Sequence, residues 1–237
     1  MTPNVLIIIP AYNEERTIAG ILQQLRDAAP DYHRLVINDG SRDGTAAVVA
    51  ALGEKQLRFP FNLGYGLALQ AGLKYALSRG YGIVVSIDAD GQHDPRDVPR
   101  LVQALQESDA GMVIGSRFCE GRRYHGPLDR RIGQQLFSIL TRPLIGQRIY
   151  DTTSGFKALT APACAAVVDG VFMDFHIETI VRLSLIGQRI IELPLIVAER
   201  SAGVSMHSFI SIFKYPLKTL LLTVAAIADA LLTRRRK

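Results

Sequence analysis

Val5 to Ile9 is an unbroken apolar run, and behind it the period changes: in NEERTIAGILQQLRDA the apolar positions Ile18, Ile21, Leu22 and Leu25 recur at helical spacing. The pattern predicts a buried strand and then an amphipathic helix. Arg34 to Ile37 is a second short strand ending at NDGS, and Asp43 is placed to cap a helix running through Leu52. A weaker strand around Gln56 to Phe59 precedes NLGYGLALQAGLKYALSRG, whose later part is helical and stops at Gly80. YGIVVSID is rich in β-branched residues and suits a strand covered on both faces. A helix from about Pro95 to Glu107 and a strand over AGMVIGS complete the alternation. Strands alternating with helices predict an α/β fold whose mostly parallel sheet carries helices on both sides.

After Ser116 the rhythm loosens. Arg131 to Leu144 has amphipathic helical spacing, DTTSGFKAL is a loop entering a short strand, and Phe175 to Ile186 is a further helix. Ile190 to Val197 is apolar but contains Pro194, which cannot donate to a sheet ladder, so this strand is expected at an edge. No internal repeat, low-complexity tract or clear linker precedes about Ser205.

A chain of 237 residues that is 48% hydrophobic can bury one substantial core, and 21% charged residues exclude long disorder. Cys119 and Cys164 lack any CxxC partner, which argues against a disulfide framework or structural zinc and fits a reducing, cytoplasmic setting. MTPNVLIIIP has no basic flank and is too short for a signal peptide. The net charge of +5 is unevenly placed, with many positives in SRFCEGRRYHGPLDRRIG and in the terminal RRRK. Such clusters suit an anionic substrate, an anionic surface or both. Nucleic acid is disfavoured, because no recognition-helix, RNP-like or zinc-finger pattern accompanies the charge.

In open α/β sheets ligands bind beyond the carboxyl ends of the strands. PAYNE, NDGS and DADGQ each follow a predicted strand, so three separate loops converge on one edge. Asp88 and Asp90 would project to the same side, since strand side chains repeat every two residues. Two carboxylates so close repel unless a cation sits between them, and hard oxygen ligands, with Gln92 adding a neutral one, suit magnesium or manganese. Magnesium commonly takes one or two carboxylates plus substrate phosphates, which makes a diphosphate the expected third party. The alternative is an Asx-type turn in which both aspartates bond backbone amides. Asp39 could bond a ribose hydroxyl or a base N–H, or simply belong to a turn, and Glu14 could be a first-turn acid favoured by the helix dipole. Asp94 reads as a helix cap; His93 either supports the metal loop or caps the next turn. No GxGxxG or GxxxxGK[ST] phosphate loop is present.

In order along the chain, PAYNE (10–14), NDGS (38–41), NLGYGLALQAG (62–72), DADGQHDP (88–95), GSRF (115–118) and DTTSGFK (151–157) resemble glycosyltransferase family 2. They are most similar to its branch of dolichyl-phosphate mannose synthases and bacterial polyprenyl-phosphate glycosyltransferases. The resemblance implies a GT-A, Rossmann-like fold over residues 1–207, with a nucleotide-sugar-binding half (1–115) and an acceptor half (116–207). It implies that Pro10, Tyr12, Glu14 and Asp39 hold the nucleotide, and that Asp88, Asp90 and Gln92 hold Mg2+ or Mn2+ and the diphosphate. Arg117 and Arg131 match arginines that handle phosphates, and Arg200 lies in a segment resembling R-x-x-G-x-S, placed to close over the diphosphate. Where mannose synthases commonly have lysine after that serine, this chain has Met206 and His207.

Residues 208–237 form an apolar, basic segment. The run Thr219 to Leu232 covers about 14 residues, below the roughly 20 needed to span a bilayer. It is expected to lie as an amphipathic helix on anionic headgroups, the alternative being a core or homo-oligomer contact. The expected activity is inverting, metal-dependent transfer from a UDP- or GDP-linked sugar to a polyprenyl phosphate at the inner face of the cell membrane. A lipid phosphate is already anionic and needs no strong general base. A sugar-hydroxyl acceptor would need one, for which Glu178 and Asp151 are candidates unless they are ordinary helix-surface or turn acids. A non-catalytic nucleotide-binding, membrane-associated partner protein is the reading of another class.

Overall fold

The computed structural model describes residues 4–118, 142, 145–170, 175–195, 223–225 and 227–228. Its strands are β1 (Val5–Ala11), β2 (His33–Asn38), β3 (Gln56–Arg58), β4 (Ile83–Ser86), β5 (Ala110–Ser116), β6 (Lys157–Thr160) and β7 (Arg189–Pro194). They form one sheet in the order β3-β2-β1-β4-β6-β5-β7. Every pairing is parallel except those of β6, which is antiparallel to both β4 and β5. β7 stands at the edge, where Pro194 can be tolerated.

The apolar runs follow from burial on both faces. Val5, Ile7 and Ile9 of β1 pack with α1 (Ile18–Ala28) and α4 (Val98–Gln106) through Ile18, Leu22, Leu25, Leu101 and Val102. Leu6 and Ile8 face the other way, into a core with α3 (Tyr65–Ser78), α5 (Ala161–Val168) and α6 (Ile177–Leu185). Alternate side chains of one strand thus enter two cores, and each Ile or Leu so buried contributes about 1.5–3 kcal/mol. Gly72 lets α3 lie directly on β1, since a Cβ there would come 3.0 Å from the Ile8 side chain.

Helix starts follow local chemistry. Asp94 accepts the amide of Arg96 at 2.9 Å and caps a 3-10 turn over Pro95–Asp97 that leads into α4. Asp43 accepts the Thr45 amide at 3.0 Å at the head of α2 (Thr45–Ala51). The helix α5 was not expected from the sequence, because APACAAVV is apolar without a helical polar face. Its signal was Thr160 followed by a proline in the first turn, a capping pattern the hydrophobic period does not reveal. Cys164, on α5, is buried among apolar side chains that push its thiol up to about 12.

The helix predicted over Arg131 to Leu144 lies outside the described residues except for Arg142, which is helical, and so does nearly all of the 208–237 segment, of which 223–225 and 227–228 are helical. Among the described residues no helix is long and apolar enough to cross a membrane.

Because β1, β2 and β4 run parallel, the loops after Ala11, Asn38 and Ser86 leave the same edge of the sheet. The reversed β6 brings residues 151–156 to that edge as well, since Lys157 lies opposite both Ser86 and Ile114. One backbone contact fixes the corner of this edge: Gly40 has φ +70°, and a Cβ there would fall 2.3 Å from the Phe61 carbonyl carbon. Gly53 has nearly the same φ, +68°, but open space around it. Gly40→Ala should therefore lower stability by about 2 kcal/mol or more, moving the calorimetric midpoint down roughly 4–8 °C, and Gly53→Ala by about half of that. Equal losses at the two positions would show that the 59–64 loop does not rest on Gly40.

Candidate active site

Loop-to-loop hydrogen bonds build one corner of the edge. Asn13, with a φ of 57° that asparagine tolerates, donates its amide to Ser41 Oγ at 3.0 Å and accepts the Arg42 amide at 2.9 Å. The Glu14 amide donates to Thr45 Oγ1 at 2.8 Å, and Thr17 Oγ1 donates to Glu14 Oε2 at 2.8 Å. Asp39, almost fully buried, accepts the amides of Leu63 at 2.7 Å and Gly64 at 2.9 Å. Pro10 lies opposite Ile37 near the end of β1, and Tyr12 follows the strand half-buried. Pro10, Tyr12, Glu14 and Asp39 thus belong to one set of interlocked loops, with Asp39 holding the NLG turn.

The paired aspartates stand beside this corner. Tyr65, the first residue of α3, donates its hydroxyl to Asp88 Oδ1 at 2.8 Å. Gly155 backs the same carboxylate so closely that a Cβ would lie 2.3 Å from Asp88 Oδ2 and 2.5 Å from the Tyr65 hydroxyl. Burial, and then the charge of Asp90, push the Asp88 carboxyl up to about 6, against the Tyr65 hydrogen bond and the positive charges of Lys157 and Arg117. Asp90 Oδ1 accepts the Gln92 amide at 3.0 Å, an Asx-type turn, so the turn reading holds for Asp90 and fails for Asp88, whose partner is a phenol. Among the described residues no three His, Cys, Asp or Glu side chains gather into a metal site. A divalent cation would rest on the Asp88 and Asp90 carboxylates and the Gln92 side-chain oxygen. Substrate oxygens or water would complete its coordination. The donor set fits that use: two like charges on neighbouring, half-buried carboxylates are what a cation relieves.

A second, drier layer of charge supports the first. Arg117 grips Asp151 through Nε to Oδ2 at 2.7 Å and Nη2 to Oδ1 at 2.8 Å, adds Thr153 Oγ1 at 2.9 Å, and its amide also donates to Asp151. Burial alone would raise the Asp151 carboxyl, but the Arg117 charge and hydrogen bonds outweigh it and hold it below the ordinary carboxylate value. From the edge strand β7, Glu192 accepts the amides of Tyr150 and Asp151, each at 2.8 Å, and so fixes the loop that carries Asp151. Burial raises the Glu192 carboxyl despite those hydrogen bonds.

Lys157, which the sequence reading left unassigned, is fully buried. Its Nζ donates to the Phe175 carbonyl and sits 4.6 Å from the Phe175 ring centroid. Burial lowers its ammonium to about 8, while Glu178, Asp151 and Asp88 favour the charged form. The signal was a lysine between Phe156 and Ala158 in a short apolar strand, since lysine is almost never fully buried without acidic partners. Tyr65 was missed too; its ring stacks on His176, with centroids 5.7 Å apart.

Glu178 is not a helix-surface acid but buried, and Asp151, which accepts the Thr153 amide at 3.3 Å as a turn acid would, is buried as well. Glu178 accepts the His176 amide at 3.0 Å. His93 is buried against Phe156 with Nδ1 unbonded, and burial, reinforced by Arg117, lowers its imidazole to about 4. It is a neutral packing group behind the 88–92 loop, not a cap. Arg131 and Arg200 lie outside the described residues.

The family model described as "Glycosyl transferase family 2" matches residues 6–167. The undecaprenyl-phosphate mannosyltransferase of Micrococcus luteus is 34% identical over 214 residues, covering 86% of this chain and 87% of that one. The polyprenol monophosphomannose synthase of Mycolicibacterium smegmatis is 33% identical over 218 residues, covering 87% and 82%. Among solved structures, glucosyl-3-phosphoglycerate synthase of Mycobacterium tuberculosis with Mn2+ and UDP-glucose superposes with a TM-score of 0.68 at 20% identity, covering 93% of this chain and 78% of that one. That likeness is one of fold, and the fold is GT-A.

Removing one partner of a buried ion pair strands the other, so Asp151→Asn should lower stability in urea by about 3–5 kcal/mol at neutral pH. The pH dependence has a definite sign. Because the folded Asp151 carboxyl lies below its ordinary 3.8, its contribution is present above that value and is lost as pH falls through the lower folded value. The wild-type acid limb should therefore be steeper than that of the variant; parallel limbs would mean that Asp151 is not the linked group.

Proposed function

The chain belongs to glycosyltransferase family 2, and from that membership we propose that it moves a sugar, with inversion, from a UDP- or GDP-linked donor to a polyprenyl phosphate. The observation that carries the choice of acceptor is the state of the two carboxylates that could have served as a general base. Asp151 is locked to Arg117 and held ionised, and Glu178 is buried with Lys157 as its countercharge. Neither is poised to take a proton from a hydroxyl. A phosphate acceptor is already an anionic nucleophile and needs no such group.

The two relatives named above act, by their names, on undecaprenyl phosphate and polyprenol phosphate, which supports the same acceptor class here. In this reading Pro10, Tyr12, Glu14 and Asp39 receive the nucleoside, and the sugar diphosphate lies toward Asp88, Asp90 and Gln92. A bound magnesium or manganese ion would supply charge neutralisation for the departing nucleoside diphosphate. The protein's own part is preorganisation. Tyr65 and the 155 backbone hold Asp88 in place, while Arg117, held by Asp151, adds a fixed positive charge beneath the phosphates. In the same reading Arg131 and Arg200, which lie outside the described residues, would add to the phosphate contacts, and the basic, apolar 208–237 segment would meet the anionic inner leaflet.

Purified protein supplied with labelled UDP- and GDP-sugars, manganese or magnesium, and undecaprenyl phosphate should yield a labelled lipid with at least one donor. Failure with every donor would sink the proposal. Asp90→Ala should lose turnover by about 100-fold or more through the loss of one cation ligand. Glu178→Gln, checked for an unchanged circular dichroism spectrum, should keep transfer within about tenfold, whereas removing a true general base costs 10²–10⁴-fold. A loss in that higher range would point to a hydroxyl acceptor.

A further inference from the structure

Next to the Asp39 corner the protein turns apolar side chains outward. Phe61 is 62% exposed, Leu63 41% and Leu67 42%, where among the described residues only Tyr150 and Val224 are other large apolar side chains as open. Exposed phenylalanine and leucine are common on mobile loops, but this backbone is held. The amides of Leu63 and Gly64 are bound by Asp39, and the backbone at Phe61 rests on Gly40. The sequence therefore fixes these side chains in the open at the edge where the donor corner lies.

Cations lie on the same or adjoining elements. Arg58 ends β3 opposite Asn38, at the same end of the sheet. Arg42 lies two residues past Gly40, whose backbone touches that of Phe61. Lys74 is seven residues beyond Leu67 on α3, hence on the same helix face. All three are exposed, and none has an acidic partner among the described residues. Of the carboxylates on the loop side, Asp39 is buried and faces inward to the Leu63 and Gly64 amides, and Asp43, next to Arg42 in the chain, is taken up by the Thr45 and Glu15 amides. Apolar tips on a held backbone, with unpaired cations on the same or adjoining elements, complement an anionic bilayer, whose headgroup phosphates meet the cations while the tips enter the acyl boundary. A protein partner would call for acidic complementarity of its own and for a broader apolar area than three side chains present.

We infer that Phe61, Leu63 and Leu67, with Arg42, Arg58 and Lys74, form a membrane-contact rim, separate from the 208–237 segment, that sets the donor corner against an anionic bilayer. The rim takes its purpose from the lipid-phosphate reading, but its test does not depend on it. Full-length protein is floated with vesicles of phosphatidylcholine mixed with phosphatidylglycerol. Phe61→Ser combined with Leu67→Ser should reduce the bound fraction at least ~5-fold, with an unaltered thermal midpoint and unaltered transfer to a short-chain, water-soluble isoprenyl phosphate in the absence of vesicles. Arg58→Glu combined with Lys74→Glu should reduce it as strongly at low salt, and pure phosphatidylcholine should bind the wild type weakly. Unchanged flotation in both variants overturns the inference. So does a raised KM for the nucleotide sugar with flotation intact, which would make the rim part of the donor site, or a dimer that the first variant dissociates while still floating. Wild-type protein that floats through this rim but glycosylates no lipid phosphate upholds the rim and overturns the acceptor instead.

Discussion

Carboxylates do not share a dry place without something to hold them there, and the organisation of this protein follows from meeting that constraint around Asp88. The aspartate is half-buried and next to Asp90, and it sits where a parallel sheet directs its loops. Around it the fold supplies what water would have: a phenol from α3, a buried ammonium from β6 and a guanidinium at the end of β5. Each comes from a different element, so the charge balance of the site and the packing of the sheet are one problem. A rearrangement of β6 would move Lys157, Gly155 and Asp151 together.

The layers around that carboxylate divide the work. Groups nearest the edge, Asp39, Asp88 and Asp90, are arranged by short hydrogen bonds from loops and α3. Groups behind them, Arg117, Asp151, Glu192, Lys157 and Glu178, are paired with one another or with backbone. Pairing at that depth fixes geometry more than it adds net stability, because desolvation offsets much of the attraction. Preorganised charge of this kind suits a reaction whose barrier comes from charge building on a leaving group.

Much of this was legible in the sequence for a simple reason. Strands buried on both faces must be apolar throughout, so β1, β4 and β5 announce themselves, and polar loops after them can only gather at the carboxyl edge. Asp88, Asp90 and Asp39 were visible because they break apolar runs where those runs end. What stayed hidden was set by distant partners. Nothing near Asp151 in the chain indicates Arg117, 34 residues earlier, or Glu192, 41 residues later. Those meetings depend on β6 entering antiparallel between β4 and β5, a topological choice that local period does not encode. The helix α5 was hidden for the opposite reason: an alanine-rich segment packed on one core has no polar side to give it a period.

The place of β6 also bears on how the chain must be assembled. β4 and β5 are consecutive strands, yet they do not touch; the gap between them is filled by a strand that begins about forty residues after β5 ends. During synthesis the first four strands can pair as they emerge, but β5 appears with no neighbour and β4 offers an open edge of unpaired backbone. Both wait for the segment carrying Gly155 and Lys157. The residues that finish the active edge are the ones that close the sheet, so a nascent chain acquires its site at the moment it loses its stickiest surface.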